Sequence, residues 1–199
     1  FFGRDSIPAV DFYRIEELIV AFLAKWCAST GNTFAVLGKR TADQTYEVKF
    51  FERAAESGTV TYIPRTSDFS TYEHCASASL IVTADSTTGY EFLARGSRVV
   101  FLSARIHAAR TPSLLNRHDT DFGHPMNLEP NGPLWTNIAD ESEFERVIRN
   151  VQSLSDSDWA TIIRPYNEQM MAYQPDNHEF VNLLLSEGVP MRDEVVSRA

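Results

Sequence analysis

The chain has few cysteines, an excess of acidic over basic residues, and no long apolar run. Only Cys27 and Cys75 occur among 199 residues, too few for a disulfide framework or a zinc-binding spacing. With 27 acidic against 18 basic residues the net charge is -9, which argues against a general nucleic-acid or anionic-membrane surface. No apolar run approaches the roughly 18 residues of a membrane span. The sequence therefore predicts a reduced, cytoplasmic protein without a transmembrane segment.

The start of the chain is also unusual, because "FFGRDS" lacks an initiator Met and no signal-peptide pattern follows. We therefore expect residues 1–199 to be one domain of a longer polypeptide, with a site shared with a missing N-terminal lobe. The 43% of hydrophobic residues suffices for a real core.

Short apolar runs alternate with helical patterns along most of the chain. The runs "TFAVLG", "TVTYIP", "SLIVTA" and "RVVFLS" read as buried strands. Helical spacing fills the segments between and before them, with Asp11 as a candidate N-cap and Gly31, Gly58 and Gly96 as stops. This alternation predicts an α/β fold, a Rossmann-like parallel sheet covered by helices on both faces.

The C-terminal part has a different character. Residues 104–133 are irregular, rich in His, Asn, Pro and Gly, and longer than an ordinary connection, which suggests a functional loop. At its end "PLWTN" (133–137) predicts a short strand. Three further helices predict a helical tail over about residues 140–188.

The most informative stretch is the polar turn after "SLIVTA". Asp85 and the hydroxyl residues Ser86, Thr87 and Thr88 follow a central strand and open a helix, and Gly89 lets a ligand approach the backbone. Helix N-termini at the carboxyl edge of such sheets attract phosphate groups, and the carboxylate of Glu91 is placed to take two ribose hydroxyls. The turn suits a nucleotide phosphate cradle, and it equally suits an ordinary helix cap.

The block "DSTTGYEFLARGSRVVFLS" resembles the donor-binding motif of GT-B glycosyltransferases. It is similar to segments of the peptidoglycan N-acetylglucosaminyltransferase and the UDP-N-acetylglucosamine 2-epimerase. A broader set, "AVDFYRIEELIVAFLAKWC", "VLGKR", "FGHP" and "GPLWTN", resembles bacterial capsule and lipopolysaccharide biosynthesis proteins over roughly residues 9–180.

The resemblance implies a nucleotide-sugar-binding domain that transfers sugar to a glycan or glycolipid acceptor without a metal or other cofactor. Peripheral attachment at the inner membrane would then come through another lobe or a partner. Catalytic residues stay open, with Lys39, Arg40 and His124 as candidates. The implied donor-binding residues are Gly38, Lys39, Arg40, Asp85, Ser86, Thr87, Thr88, Gly89, Glu91 and Arg105.

Other residue pairs are weaker candidates. The triplet Asp119-Thr-Asp121 has a metal-binding form, but it lies in a loop where such triplets arise by chance, and His118 completes no ligand set. His74 and Cys75 are helix neighbours that point apart, which argues against a nucleophilic pair. His124 of "FGHP" fits either a phosphate contact or a loop histidine without a special task.

Two alternative functions remain open on the same fold. An epimerase or hydrolase of the 2-epimerase type would need an acid-base pair in the 104–133 loop, where Asp119, Asp121 and His124 are available. A non-catalytic interaction lobe would keep the fold and lose the donor site. A flavodoxin-like or response-regulator domain ranks last, because the sequence shows neither an acidic phosphoacceptor pair nor a flavin-type phosphate loop.

Overall fold

A computed structural model describes residues 12–43, 45–56, 60–110, 112, 120–126, 128–175 and 177–189. Strands and helices alternate along the first half of the chain, and three helices follow. The strands are β1 (Ala35–Leu37), β2 (Thr61–Ile63), β3 (Ile81–Thr83), β4 (Val99–Leu102) and β5 (Trp135–Thr136). The helices are α1 (Arg14–Thr30), α2 (Thr45–Ala54), α3 (Ser70–Ala76), α4 (Thr87–Ala94), α5 (Arg105–Ala108), α6 (Glu141–Ser153), α7 (Asp156–Met170) and α8 (His178–Ser186).

This order confirms the predicted α/β fold. The five apolar runs form strands, and the three C-terminal patterns form α6, α7 and α8. Gly31 ends α1 with φ of 72°, and Gly96 follows α4 with φ of 88°, a backbone conformation that glycine adopts without steric cost. The helix stop assigned to Gly58 and the N-cap assigned to Asp11 lie outside the described residues.

All described strand pairs within the sheets are parallel, but the strands form two hydrogen-bonded groups rather than one. β1 pairs with β2, and β3, β4 and β5 pair in that order. Val36 lies opposite Tyr62, and Val82 lies opposite Val100. Between the groups runs a cleft of about 750 Å³ lined by apolar side chains of α1, β1 and β3. β1 and β3 are thus not joined by backbone hydrogen bonds, and residues of both strands line the cleft.

The core centres on β4, where all four residues are fully buried. One group of helix residues packs around it: Phe144, Val147, Ile148 and Val151 of α6 with Trp159 and Ile163 of α7. Because β4 is covered on both faces, its sequence is continuously apolar instead of alternating. The predicted irregular stretch contains one element that the pattern missed, the short helix α5, whose Arg105 is also buried.

The start of α7 is capped by Ser155. The Ser155 hydroxyl accepts a hydrogen bond from the Asp158 amide at 3.1 Å and donates to the Asp158 carboxylate at 2.6 Å. We expect Ser155→Ala to lower the free energy of unfolding by about 1 kcal/mol, because the first turn loses its acceptor. Urea denaturation measures this, with Ser153→Ala, at the end of α6, as the control. Equal effects of the two variants would contradict a capping role.

Candidate functional site

The first feature of the site is the cleft between the two strand groups, β1–β2 and β3–β4–β5. In open α/β sheets ligands bind in a crevice outside the carboxyl ends of the strands. Four residues of the predicted site line the cleft, namely Asp85, Ser86, Thr88 and Gly89, together with Glu16, which was not predicted.

The N-terminus of α4 is the second feature, and it follows β3 directly. Ser86 is its N-cap residue, with extended backbone angles, and its side chain makes no capping hydrogen bond. Ser86 and Thr87 are exposed, while Thr88 is half-buried. The first amides of a helix lack intrahelical partners, and the helix dipole makes this end electropositive. The structure therefore leaves the predicted hydroxyls and a helix N-terminus available together.

Gly89 has a packing role that the sequence did not show. It is buried, and a Cβ built at this position would lie 2.6 Å from the Thr83 methyl and 3.1 Å from the Phe101 ring. The glycine therefore lets the first turn of α4 sit directly on β3 and β4. The predicted close approach takes place between the helix and its own sheet.

Arg105 is the centre of a buried ion cluster formed with Glu16 and Asp85. Its Nε and Nη2 groups donate to the two Asp85 oxygens at 2.8 and 3.0 Å. Nη2 and Nη1 also donate to the Glu16 oxygens at 2.7 and 3.1 Å. Nη1 donates further to the Phe12 carbonyl, and the Phe12 ring centroid lies 4.3 Å from the guanidinium. The cluster ties α1, the β3–α4 turn and α5 together.

The electrostatics of this cluster reflect its burial. Burial opposes the charged form of Arg105, but hydrogen bonds to Asp85 and the charge of Glu16 outweigh this, so its pKa is raised. Burial raises the pKa of the Glu16 carboxyl above its ordinary value, against the lowering effect of Arg105. One cation and two carboxylates leave the cluster with a formal charge of -1 when both acids are ionised.

Glu91, the predicted ribose contact, lies on α4 and pairs with α3. Its Oε2 accepts a hydrogen bond from the Tyr72 hydroxyl at 2.6 Å, and this bond raises the pKa of Tyr72. The Glu91 side chain is half-buried. The Oε2 atom of Glu91 is thus held by Tyr72. The predicted contact between Glu91 and a ribose therefore depends on the other carboxylate oxygen, Oε1.

The turn after β1 carries Gly38, Lys39 and Arg40, and its backbone amides bind a carboxylate of the same chain. Glu47 accepts from the Lys39 amide at 3.4 Å, from the Arg40 amide at 3.0 Å and from the Tyr62 hydroxyl at 2.5 Å. A Cβ on Gly38 would lie 1.9 Å from that hydroxyl. Among the described residues, the exposed side chains of Lys39 and Arg40 form no ion pair. Their charges are exposed to solvent, and residues 38–40 are not among the residues that line the cleft.

The "FGHP" segment is anchored through Phe122, which is 2% exposed. Its ring stacks on Tyr90 of α4 at 5.7 Å and on Trp135 of β5 at 4.6 Å between centroids. The Gly123 amide donates to the Tyr90 hydroxyl at 3.0 Å. Since Tyr90 lies in the first half of α4, this loop and the exposed His124 are held beside the helix that Ser86 begins. Asp119 and His118 of the loop lie outside the described residues.

The remaining candidates are placed as follows. Cys75 and Cys27 are free and buried, and burial raises the pKa of both thiols. His74, next to Cys75, is exposed. Within the part of the chain that the structure describes, no three His, Cys, Asp or Glu side chains are grouped to hold a metal ion.

A family model matches residues 5–187, more than nine-tenths of the chain. The family is described as a "putative O-antigen biosynthesis protein". The chain belongs to this O-antigen biosynthesis family. The match confirms the surface-carbohydrate part of the resemblance found in the sequence. Comparison with curated proteins and comparison with solved structures each gave no significant match.

In this O-antigen biosynthesis protein, no described helix combines the length and apolar character needed to cross a bilayer.

The sequence pattern missed several residues around the site, chiefly Glu16, Glu47 and Tyr72. Glu16 lies 89 positions from Arg105 and Tyr72 lies 19 positions from Glu91, so no local spacing links them. The inward face of α1 is otherwise apolar. A carboxylate on that face was the signal that could have singled out Glu16.

Proposed function

We propose that this domain binds a nucleotide-sugar donor and acts as the donor half of a GT-B-type glycosyltransferase in O-antigen assembly. The observation that carries the proposal is the start of α4, where exposed hydroxyls and the first turn of a helix follow β3 directly and line the cleft. The membership of the O-antigen biosynthesis family supports the polysaccharide context.

The proposed chemistry needs no metal. The donor phosphate lies against the first amides of α4 and the hydroxyls of Ser86 and Thr87. As the bond to the sugar breaks, negative charge grows on the leaving phosphate, and preorganised N–H donors and cations stabilise it. Lys39 or Arg40 supplies the positive charge. In this architecture the catalytic base and the glycan or glycolipid acceptor belong to the other lobe, so the role of this domain is to hold the donor and stabilise the leaving group.

The first test is a thermal-shift panel on the 199-residue chain with CMP, CDP, UMP, UDP, GDP and dTDP. A ligand at about 100 times its dissociation constant adds about 2.7 kcal/mol, or a rise in Tm of about 5–10 °C for a chain of this size. Because Ser86 makes no capping bond, we expect Ser86→Ala to leave the ligand-free Tm nearly unchanged and to reduce the shift.

The matched control is Ser157→Ala, which removes a hydroxyl from the first turn of α7 instead of from the start of α4. A nucleotide shift that Ser86→Ala reduces and Ser157→Ala leaves intact supports the donor site. No shift with any nucleotide, in a chain that unfolds cooperatively, would contradict the proposal and favour the interaction-lobe alternative.

An epimerase or hydrolase of the 2-epimerase type is the second candidate. It is favoured by the anchoring of the "FGHP" loop to α4 through Phe122 and Tyr90, which holds His124 and Asp121 beside the proposed donor site. Incubation of the chain with the nucleotide-sugar selected by the panel separates the two. Release of free sugar or a changed sugar configuration without an acceptor identifies the second candidate, and an unchanged donor favours the transferase.

A further inference from the structure

The side chain of Arg105 has no donor left for a ligand. A guanidinium carries five N–H groups, and the five hydrogen bonds to Asp85, Glu16 and the Phe12 carbonyl use all of them. The Phe12 ring covers the guanidinium, and the residue is 2% exposed. A direct contact between Arg105 and a donor phosphate would require breaking this cluster.

The two carboxylates have acceptor capacity to spare. Each ionised carboxylate offers about four lone-pair sites, and Arg105 occupies two on each. The side chains of Asp85 and Glu16 are 36% and 24% exposed, and both residues line the cleft. Two acceptors held in fixed positions, with an excess negative charge, suit a ligand that donates hydrogen bonds.

We propose that Arg105 is a positioning residue, and that the carboxylates of Asp85 and Glu16, which it orients, bind the hydroxyl groups of the donor's sugar. This inference rests on the proposed donor site and specifies how that site divides its ligand. Asp85 directly precedes Ser86, so the sugar-binding acceptors and the phosphate-binding helix start are neighbours along the chain, like the sugar and phosphate of the donor.

The charge of the cluster supports hydroxyls over a second phosphate at this position. A phosphate beside two carboxylates and one saturated guanidinium would meet like charge, whereas sugar O–H groups would meet charged acceptors. Hydrogen bonds to charged groups are the stronger class. Trp26 also lines the cleft, and its indole N–H, in a side chain that is 8% exposed, has no hydrogen-bond partner among the described residues. It offers a further polar contact to a molecule in the cleft.

The test compares a nucleotide with its own nucleotide-sugar by isothermal titration calorimetry on the 199-residue chain. The pair is the one whose nucleotide gives the largest thermal shift. We expect the wild-type chain to bind the nucleotide-sugar about tenfold more tightly than the nucleotide. Asp85→Asn should abolish most of that ratio while leaving the affinity for the nucleotide itself within about threefold.

Arg105→Lys distinguishes positioning from direct phosphate binding. Lysine keeps the charge but cannot hold two carboxylates through five donors. A positioning role predicts that Arg105→Lys lowers the ratio of the affinity for the nucleotide-sugar to the affinity for the nucleotide. The affinity for the nucleotide itself then stays unchanged. Direct binding of phosphate by Arg105 predicts loss of nucleotide affinity, and this result would overturn the proposal.

Asp68→Asn is the matched control, since Asp68 is an exposed acid that pairs with Arg65 outside the cleft. An unchanged ratio in Asp85→Asn, or equal weakening of both ligands, would also overturn the inference while leaving the donor site standing. Absence of any nucleotide binding by the wild-type chain would instead refute the proposed function on which it rests.

Discussion

Replacing Arg105 by alanine should lower the free energy of unfolding by about 3 kcal/mol at pH 7.5. Removing one partner of a buried ion cluster costs about 3–5 kcal/mol, because the remaining charges lose their compensation. Here two carboxylates, Glu16 and Asp85, would be left facing each other. The lower end of the range applies because Asp85 keeps 36% of its side chain exposed to water and Glu16 keeps 24%.

The loss should shrink as the pH falls. In the wild-type chain the Glu16 pKa is raised above 4.5, so the folded state binds its proton more readily, and this contribution to stability falls as pH rises from 4.5 through the raised pKa. Without Arg105 the Glu16 carboxyl loses the group that favours its ionisation, and its pKa rises further. Protonation then relieves the repulsion, so the difference between variant and wild type is smaller at pH 5 than at pH 7.5.

Urea denaturation of both chains at the two pH values measures this difference. Arg149→Ala is the control, because Arg149 forms an exposed pair with Glu145 one turn away, and such pairs contribute about 0.3–0.5 kcal/mol. Similar losses for Arg105→Ala and Arg149→Ala would show that the cluster does not hold α1 to the β3–α4 turn. A loss independent of pH would show that the carboxylates are not the groups left uncompensated.

Replacing Phe122 by alanine should cost about 3–5 kcal/mol, the range for a fully buried phenylalanine. Its ring is in contact with four aromatic side chains: Tyr90, Phe101, Trp135 and Tyr166. The substitution opens a cavity in the middle of this stack and removes the anchor of the loop that carries His124. We therefore expect lower stability and a changed environment of Trp135.

Urea denaturation measures the stability, and near-ultraviolet circular dichroism reports the aromatic stack. Phe180→Ala is the control, since it makes the same chemical change at a side chain that is 60% exposed, and surface substitutions usually change stability by less than 0.5 kcal/mol. A Phe122→Ala chain as stable as Phe180→Ala would contradict the assignment of Phe122 to the core. Unchanged near-ultraviolet dichroism would contradict the stacked arrangement.

The alternation of elements was predictable because each strand is a short apolar run and each helix has its own periodicity. The grouping of strands into β1–β2 and β3–β4–β5 was not predictable, because the choice of hydrogen-bonding neighbour depends on packing between distant segments. The helix α5 was also missed, since its four residues are too few to show a period. Local patterns thus located the elements but not their lateral arrangement.

The candidate site divides in the same way. The hydroxyl run of Ser86 to Thr88 and the cations Lys39 and Arg40 stood out because each follows a strand directly. Their partners did not, since Glu16 meets Arg105 across 89 positions and Glu47 binds the amides after β1 from the next helix. Spacing predicts which groups reach the carboxyl edge of the sheet. Which of those groups neutralise one another depends on three-dimensional contacts.

The contact beneath Gly89 has a consequence for how this family can vary. Because the first turn of α4 rests on Thr83 and Phe101 without a side chain between them, the height of that turn above the sheet is set by the volumes of two strand residues beneath it. A larger residue at either position would lift Ser86 and Thr87 without altering any residue of the exposed turn itself. Evolution or design could therefore reshape the start of α4 from below, and a survey of substitutions restricted to the surface would overlook the residues that control its position.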